Sequence, residues 1–356
     1  MLKIFGGPSR YIQGPDAIAH LGETMALFGP QAALVIDSYV LDVHGARLRD
    51  LCAASGVDTH VLAVEGEMTP ASIQDLCRRA AATPARAVAA VGGGKALDAG
   101  KAVARALHCH LVTVPTVASN DAPTSKNYVL YDDRHNLVAV EHMLFNPTMV
   151  LVDTALVATA PANFFRAGLG DAISKKFEAA QCHAAGGPNM YNGTSTLTAQ
   201  LIADGCYRTL LADGAAALAA AGSGQPTPAF ERAVEAMILM SGLGFESGGL
   251  SIAHALTRGL PRIAGVGHAL HGLQVAVGLL VQLELERRDD AVLAGLEDWY
   301  AAVGLPVTLK DLGASGIDDG QLRTAAELTL NARHAANFGH ALTVEELAGA
   351  LKRRAG

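Results

Sequence analysis

The chain has 356 residues, of which 50% are hydrophobic and 17% charged, and its formal net charge is −7. This length and composition favour a globular protein of two domains with a sizeable core, and they exclude a disordered chain. The lysines and arginines form no long block, which argues against binding to nucleic acid.

The first 160 residues alternate short apolar runs with helical patterns. We predict strands at residues 32–36, 60–64, 87–91, 111–114, 127–131 and 149–152. Apolar residues at helical spacing predict helices at 39–55, 69–82 and 95–107. Strands without internal alternation, separated by helices, are typical of a parallel sheet covered on both faces.

Strand patterns disappear after about residue 160. We predict helices at residues 169–185, 195–212, 228–241, 250–259, 271–287, 290–303, 319–331 and 344–353. The Ala/Gly-rich stretch 214–228 predicts a loose connection between two of them. The chain is thus predicted to hold an α/β domain (1–160) followed by an all-helical domain (161–356). In this arrangement a ligand binds at the carboxyl ends of the strands, in the cleft between the domains.

Three glycines follow the third predicted strand, in the segment AVAAVGGGKALD (residues 87–98). Glycines let a backbone approach a ligand closely, and the helix that follows would offer free N–H groups and a positive potential. Gly93, Gly94 and Lys95 therefore indicate a diphosphate site. The alternative is a tight turn without a ligand, since the segment is neither GxGxxG nor a Walker motif.

The fourth strand leads into TVPTVASNDAPTS (residues 113–125), a loop rich in hydroxyl and amide groups. In a parallel sheet this loop would lie beside the glycine turn, where Thr116, Ser119 and Ser125 could bond a nucleotide. Asp121 could accept a hydrogen bond from a substrate hydroxyl. A polar surface loop with an Asx turn would explain the same pattern.

Asp37 closes the first predicted strand. A carboxylate at this place can bond ribose hydroxyls and would repel a 2′-phosphate, which favours NAD over NADP. It could equally be the N-cap of the helix that follows.

The helical half contains a carboxylate and two histidines within glycine-rich segments. They are Asp171, His254 and His271, and together they would form a metal site that leaves one position open for substrate. Their spacing in the sequence is long, so each could instead be an ordinary core or surface residue.

Six segments resemble those of a known family in both sequence and order. They are GGGKALDAGKA, TVPTVASNDAPTS, NPTMVLVDT, AGLGDAISKKFEA, GFESGGLSIAHAL and HALHGLQVAVG. They are similar to the glycerol dehydrogenases of the iron-containing (type III) alcohol dehydrogenase superfamily, over essentially the whole chain. The resemblance implies a Rossmann-like α/β domain and a helical domain, as in dehydroquinate synthase, with the site in the cleft between them.

The resemblance also implies site residues. Asp171, His254 and His271 would hold a catalytic Zn²⁺, with Asp121 facing the polyol. His271 is preferred to the nearby His268 because the family's ligand directly precedes a Gly-x-x-Val-Ala segment, here residues 272–276. The residues assigned to the NAD site are Asp37, Gly93, Gly94, Lys95, Asp98, Thr116, Ser119, Ser125, Asn127 and Tyr131.

The function so implied is NAD-dependent oxidation of glycerol or a related vicinal diol to the hydroxyketone. A metal-bound alcohol oxygen loses its proton readily, and the alkoxide carbon then passes hydride to the nicotinamide. Iron-dependent relatives carry a fourth ligand, a histidine, at the position of Lys175. Three ligands and an open position suit Zn²⁺ better than Fe²⁺. A dehydroquinate-synthase-like cyclase is a further alternative on the same architecture.

Two lysines depart from the family pattern and bear on the substrate. Lys126 replaces a small or apolar residue, and Lys175 follows Asp171 by four positions. Either lysine could be a solvated or ion-paired residue of no consequence. Alternatively they could adapt the pocket to an anionic or larger substrate, such as a hydroxy acid or a phosphorylated or aromatic alcohol.

The remaining expectations concern location and assembly. The five cysteines are scattered without a CxxC pair, which suits a reducing compartment. We find no signal peptide and no run of about 18 uncharged apolar residues, so we expect a cytoplasmic protein without a membrane span. The family resemblance suggests a homo-oligomer, as large as an octamer, acting on a small molecule.

Overall fold

A six-stranded parallel sheet organises the first half of the chain. The structure is a computed structural model, and it describes residues 2–133 and 137–356. The strands are β1 (Arg10–Gly14), β2 (Gln31–Asp37), β3 (Asp58–Val64), β4 (Ala87–Gly92), β5 (His110–Pro115) and β8 (Met149–Asp153). They lie in the order β1-β8-β5-β4-β2-β3, and every neighbouring pair is parallel. The predicted parallel sheet is therefore confirmed.

Helices cover both faces of this sheet. They are α1 (Leu21–Ala26), α2 (Ser38–Ala54), α3 (Pro70–Ala80), α4 (Gly94–Leu107) and α5 (Thr154–Ala158). One apolar cluster joins β2, β4 and β5 to α2, and another joins the opposite face of the same strands to α3 and α4. Side chains of the central strands pack into one apolar cluster on each face of the sheet. These strands are therefore buried on both faces, which explains their unbroken apolar sequence.

Two strands differ from the sequence-based prediction. Strand β6 (Asn127–Tyr131) was predicted, but it lies outside the main sheet and pairs antiparallel with β7 (Leu137–His142), which was not predicted. Strand β1 was also missed. Its sequence RYIQG is only partly apolar because an edge strand leaves part of its surface exposed.

The second half is helical in the described residues. Its helices are α6 (Ala162–Ala172), α7 (Lys175–Ala184), α8 (Leu197–Ala220), α9 (Pro228–Glu235), α10 (Ser241–Gly248), α11 (Ile252–Ala255), α12 (His271–Leu285), α13 (Asp290–Val303), α14 (Asp319–Leu330) and α15 (Val344–Arg353). Among the described residues, no single helix has the length and apolarity to cross a membrane. One pair of helical segments, Pro228–Gly248 and Ile252–Arg262, has this length and apolarity only when the two are taken together. The chain bends by 98° at the break between them.

Two predicted helix boundaries are wrong. The helix expected at residues 169–185 is interrupted between α6 and α7, just before Lys175. Helix α8 continues through Gly214 to Ala220, where a loose connection was expected. Alanine is the best helix former, and a Cβ at Gly214 would lie 3.0 Å from the ring of Trp299, so the glycine permits close packing within a regular helix.

The segment formed by residues 2–7 packs on the helical half rather than on the sheet that follows it in sequence. Lys3 forms a parallel bridge with Thr194. The N–H group of Gly6 donates to Ser247 Oγ at 3.1 Å. The first residues therefore join α10 and the loop before α8 across more than 180 positions of sequence.

Candidate active site

The glycine turn lies at the carboxyl end of β4, beside the end of β2. Gly92 has a φ of +144°, and a Cβ there would come within 2.9 Å of Asp37 Cβ. Gly93 is the N-cap of α4 and contributes no side-chain cap. The first N–H groups of α4 thus face the edge of the sheet where the strands end, an arrangement that suits an anionic ligand.

Asp37 serves as a helix cap as well as ending β2. Its Oδ1 accepts from the backbone N–H groups of Tyr39 and Val40 at 3.0 and 3.3 Å. Both interpretations of Asp37 are therefore compatible, because Oδ1 caps α2 while the residue still borders Gly92.

Two residues that were assigned to the cofactor site, Lys95 and Asp98, contact other residues of the protein. Lys95 Nζ forms an ion pair with Glu67. Asp98 is largely buried and accepts from Lys101 Nζ at 3.2 Å and from the N–H of Val129 at 3.0 Å. The Asp98 carboxylate thus fixes α4 to β6, and its contacts give no support to a role in cofactor binding. Asp98 was assigned to the NAD site from the family resemblance.

The loop after β5 is anchored near the glycine turn. The N–H group of Thr116 donates to Gly92 O at 3.1 Å. Ser125 Oγ and the backbone oxygen of Asn127 accept from the buried Lys101 Nζ, at 3.2 and 2.6 Å. Lys101 was not singled out from the sequence, although a lysine within the apolar face of α4 was a signal for it.

The remaining cofactor candidates are only partly buried. Ser119 lies in the loop between β5 and β6. The Asn127 side chain contacts His142 Nδ1 at 2.7 Å, and the N–H group of Tyr131 donates to Met68 O at 2.9 Å. Asn127 and Tyr131 therefore lie on the β6–β7 hairpin, beside the main sheet rather than at its glycine turn.

The three predicted metal ligands come together. Asp171 is in α6, His254 in α11 and His271 at the start of α12. Asp171 Oδ1 lies 3.1 Å from His254 Nε2 and 3.7 Å from His271 Nε2. All three ligand atoms lie within 4.8 Å of one another. His268, the rival ligand, is exposed and does not belong to this cluster.

Close helix packing and a buried carboxylate hold this cluster. A Cβ at Gly170 would come 2.5 Å from Gly272 O, so the glycines allow α6 and α12 to touch. Glu178 accepts from the N–H groups of Ser251 and His254 and contacts His254 Nδ1 at 2.5 Å. This bond assigns the Nδ1 proton, and in the neutral imidazole it leaves Nε2 as an acceptor. Glu178 was missed as a site residue; its place seven residues after Asp171 was the available signal.

Lys175 reaches into the middle of the cluster. Its Nζ lies 2.9 Å from Asp171 Oδ1, 2.9 Å from His254 Nε2 and 3.3 Å from Asp121 Oδ2. Asp121 Oδ2 also accepts from Ser241 Oγ at 2.7 Å. The lysine is thus paired with acids, as one sequence interpretation held, but inside the candidate site rather than at its edge.

The electrostatics of the cluster favour charged groups. Burial opposes ionisation of Asp171, but the neighbouring Lys175 ammonium holds the pKa of this carboxyl well below its usual value. Burial likewise opposes the charge on Lys175, but Asp121 and Asp171 raise the pKa of its amine above the ordinary range. Lys175 is therefore an ammonium ion in this site.

An ammonium group in this place conflicts with a bound divalent ion. Asp171 Oδ2 is buried without a hydrogen-bond partner in the described structure, which an absent ligand would explain. However, an ion about 2.1 Å from both Asp171 Oδ1 and His254 Nε2 would lie within about 4 Å of Lys175 Nζ. Repulsion between charges of +2 and +1 at that distance is about 8 kcal/mol at an effective dielectric constant of about 20. Structural zinc sites gain about 10–16 kcal/mol, so about half or more of the binding energy would be lost.

Comparison with known proteins agrees with this geometry. Residues 8–154 match the profile of the family described as "Iron-containing alcohol dehydrogenase". A glycerol dehydrogenase of Pseudomonas putida is 38% identical, covering 99% of this chain and 96% of its own. A glycolaldehyde reductase of Halobacterium salinarum is 36% identical over 92% of this chain and 90% of its own.

A solved structure extends the likeness to the fold. A probable glycerol dehydrogenase from Sinorhizobium meliloti superposes with a TM-score of 0.93 at 34% identity, covering 99% of this chain and 97% of its own. The predicted resemblance is therefore confirmed over both halves of the molecule. This chain is an oxidoreductase that belongs to the iron-containing alcohol dehydrogenase family, in its glycerol dehydrogenase group.

Proposed function

We propose that the protein is an NAD-dependent dehydrogenase of glycerol or a related vicinal diol. The observation that carries this proposal is the contact of Asp121 with Lys175, at 3.3 Å. It joins the loop beside the glycine turn to the polar cluster of the helical half. A cofactor at the turn and an alcohol at the cluster would therefore lie next to each other, as hydride transfer requires.

Two features support NAD as the cofactor. The amino end of α4 follows a glycine turn, and its first N–H groups would bind a diphosphate. Asp37 borders the same turn, where its carboxylate would bond the ribose hydroxyls and repel the 2′-phosphate of NADP. Thr116 and Ser119 lie in the neighbouring loop and complete the proposed cofactor site.

The reaction moves one hydride, which carries two electrons, and one proton. The alcohol carbon gives hydride to C4 of the nicotinamide, which becomes NADH, and the hydroxyl proton passes to Asp121 and then to solvent. Asp121 is placed for this role between Ser241 and Lys175. Asp171, His254 and His271 are the donor set predicted for Zn²⁺, but they do not fit a divalent ion while Lys175 keeps its position.

The contacts of Lys175 favour a neutral diol over an anionic substrate. The Lys175 ammonium is engaged by Asp121 and Asp171, so it is not left to bind a substrate carboxylate. The Lys126 ammonium lies 4.5 Å from the centre of the Tyr191 ring.

The domain boundary near residue 160 and a homo-oligomer are further parts of the proposal. The strands of the main sheet end at Asp153 and the helical half begins with α6, which supports the boundary. Leu144 and Phe145 are 82% and 74% exposed after β7, which supports contact with another copy.

The first experiment follows NADH at 340 nm with glycerol, 1,2-propanediol and a 2-hydroxy acid, using NAD⁺ and NADP⁺ separately. We expect oxidation of the two diols with NAD⁺. Preference for the hydroxy acid would replace the diol by an anionic substrate. Turnover of a cyclic phosphate precursor without net NADH would indicate the cyclase alternative, and no oxidation of any alcohol would contradict the proposal.

A further inference from the structure

The Lys175 ammonium has the coordination expected of a resident cation. An ammonium has three N–H donors, and three acceptors surround this one: Asp171 Oδ1, His254 Nε2 and Asp121 Oδ2, at 2.9, 2.9 and 3.3 Å. Two of these acceptors belong to the triad that would hold a metal. The lysine therefore occupies the place, and uses the ligands, of a metal ion.

The position of Lys175 is enclosed. The residue is 1% exposed, and its ammonium lies 5.6 Å from the centre of the Phe245 ring. It is the first residue of α7, directly after the break that follows α6. Withdrawing the ammonium would leave the buried Asp171 and the largely buried Asp121 without their shared counter-charge. An incoming ion would have to displace a cation that the fold itself supplies.

We propose that Lys175 replaces the divalent cation in this chain, so that the site works without a bound metal. The role in catalysis rests on the proposed dehydrogenase function, whereas the absence of metal binding does not. The inference reverses the prediction of Zn²⁺, whose three ligands are present, although two of them, Asp171 and His254, already hold an ammonium group.

The substrate oxygen would lie between Lys175 and Asp121. Their contact is the longest of the three made by the ammonium, so it is the one that a hydroxyl group would most readily replace. The alcohol oxygen would accept an N–H bond from Lys175 and donate its own proton to Asp121. As hydride leaves the carbon for NAD⁺, the O–H bond breaks toward Asp121 and the C=O bond forms, while Lys175 stabilises the developing negative charge.

The test measures zinc bound per chain. Wild type, Lys175→Ala and Lys175→Thr are produced with added Zn²⁺, desalted and analysed by elemental mass spectrometry. We expect less than about 0.1 zinc per wild-type chain and close to one in each variant, because removing the ammonium frees the three ligands. Lys176→Ala is the matched control, since Lys176 pairs with Asp204 instead, and it should stay zinc-free.

Thermal unfolding gives an independent readout. Added Zn²⁺ should raise the Tm of both Lys175 variants and leave that of wild type unchanged. A variant that folds only with zinc would support the proposal equally. One tightly held zinc per wild-type chain would overturn it, whether Lys175 had moved away or had become a neutral fourth ligand. Zinc-free wild type without diol activity would overturn the dehydrogenase proposal and the catalytic role of Lys175, and it would leave the absence of metal binding intact.

Discussion

Asp121 joins the two halves of the candidate site through a single carboxylate. Burial raises its pKa despite the neighbouring Lys175, so this carboxylate holds a proton more readily than an exposed one. We predict that Asp121→Asn lowers kcat/KM for diol oxidation by about 10²–10⁴-fold, because an amide cannot accept the hydroxyl proton. NAD⁺ affinity, measured by fluorescence titration, should change little. A loss of activity below about threefold would contradict the role.

Asp37 offers a test of the cofactor. Asp37→Ser removes the charge that would repel a 2′-phosphate, and it retains a side chain able to cap α2. We predict that the ratio of kcat/KM for NAD⁺ to that for NADP⁺ falls by about 10-fold or more, which corresponds to about 1.4 kcal/mol. Asp37→Asn is the matched control, because it removes the charge and keeps the shape of the side chain. An unchanged ratio in both variants would place the ribose elsewhere.

Glu246 gives the fold a dependence on pH. It is buried and accepts from the N–H of Lys126, from Asn146 Nδ2 and, at 3.0 Å, from Tyr191 OH. Burial outweighs these bonds and raises the pKa of Glu246 to about 7. Since this lies above the unfolded value of 4.5, the group stabilises the folded state at low pH, and that contribution is lost as the pH rises through about 7.

The matching variant is Glu246→Gln, which resembles the protonated acid at every pH. We predict that wild type loses up to about 3 kcal/mol of unfolding free energy between pH 5 and pH 8 relative to this variant. Urea unfolding at both pH values measures the difference. Equal losses in the two proteins would show that Glu246 ionises normally.

At the scale of elements, the end of β4 is the most restricted turn of the candidate site. Gly92 combines a φ of +144° with close neighbours in Asp37 and Ala96, whereas a Cβ at Gly93 would meet only Val117, at 3.4 Å. We predict that Gly92→Ala costs about 1–3 kcal/mol of stability and weakens NAD⁺ binding. Gly93→Ala is the control and should unfold nearly as wild type does. Similar Tm values for both variants would contradict this.

The sequence predicts a helix or strand best when its residues are buried in the same way along its whole length. Strands β2, β4 and β5 are continuous apolar runs because helices cover both of their faces, so their pattern is unambiguous. Strand β1 at the edge and the exposed β7 lack that pattern and were missed. The break before Lys175 has no glycine or proline to signal it, since tertiary contacts rather than local preference end α6.

Most residues of the candidate site could be predicted, but the contacts of Lys175 within it could not. Family resemblance supplied Asp121, Asp171, His254 and His271, which the fold brings together across three helices and a loop. Nothing in the sequence shows that Lys175 Nζ would reach the centre of that group. The spacing of four residues from Asp171 predicts the correct helical face for Lys175. The packing of α11 and of the loop after β5 then decides which groups the ammonium touches.

At the scale of the whole molecule, exposed apolar side chains support the proposed homo-oligomer. Leu144 and Phe145 follow the β6–β7 hairpin, whose Val138 and Val140 are also exposed. We predict that the double substitution Leu144→Glu with Phe145→Glu lowers the mass measured by light scattering after gel filtration, because charges would be buried at the contact. The double substitution Leu197→Glu with Leu201→Glu is the comparison, because it adds the same charges at two other exposed apolar residues, on α8. A monomeric wild type would contradict the prediction.

The position of β1 and residues 2–7 has a consequence for synthesis on the ribosome. In the described sheet, strand β1 pairs with β8 alone, and the segment before it bonds to Thr194 and Ser247. These residues therefore leave the ribosome long before their partners, by more than 130 residues for β1. Strands β2 to β5 can assemble in the meantime and leave one edge vacant. A chaperone that masks an unpaired edge would be needed during this interval more than at any later stage.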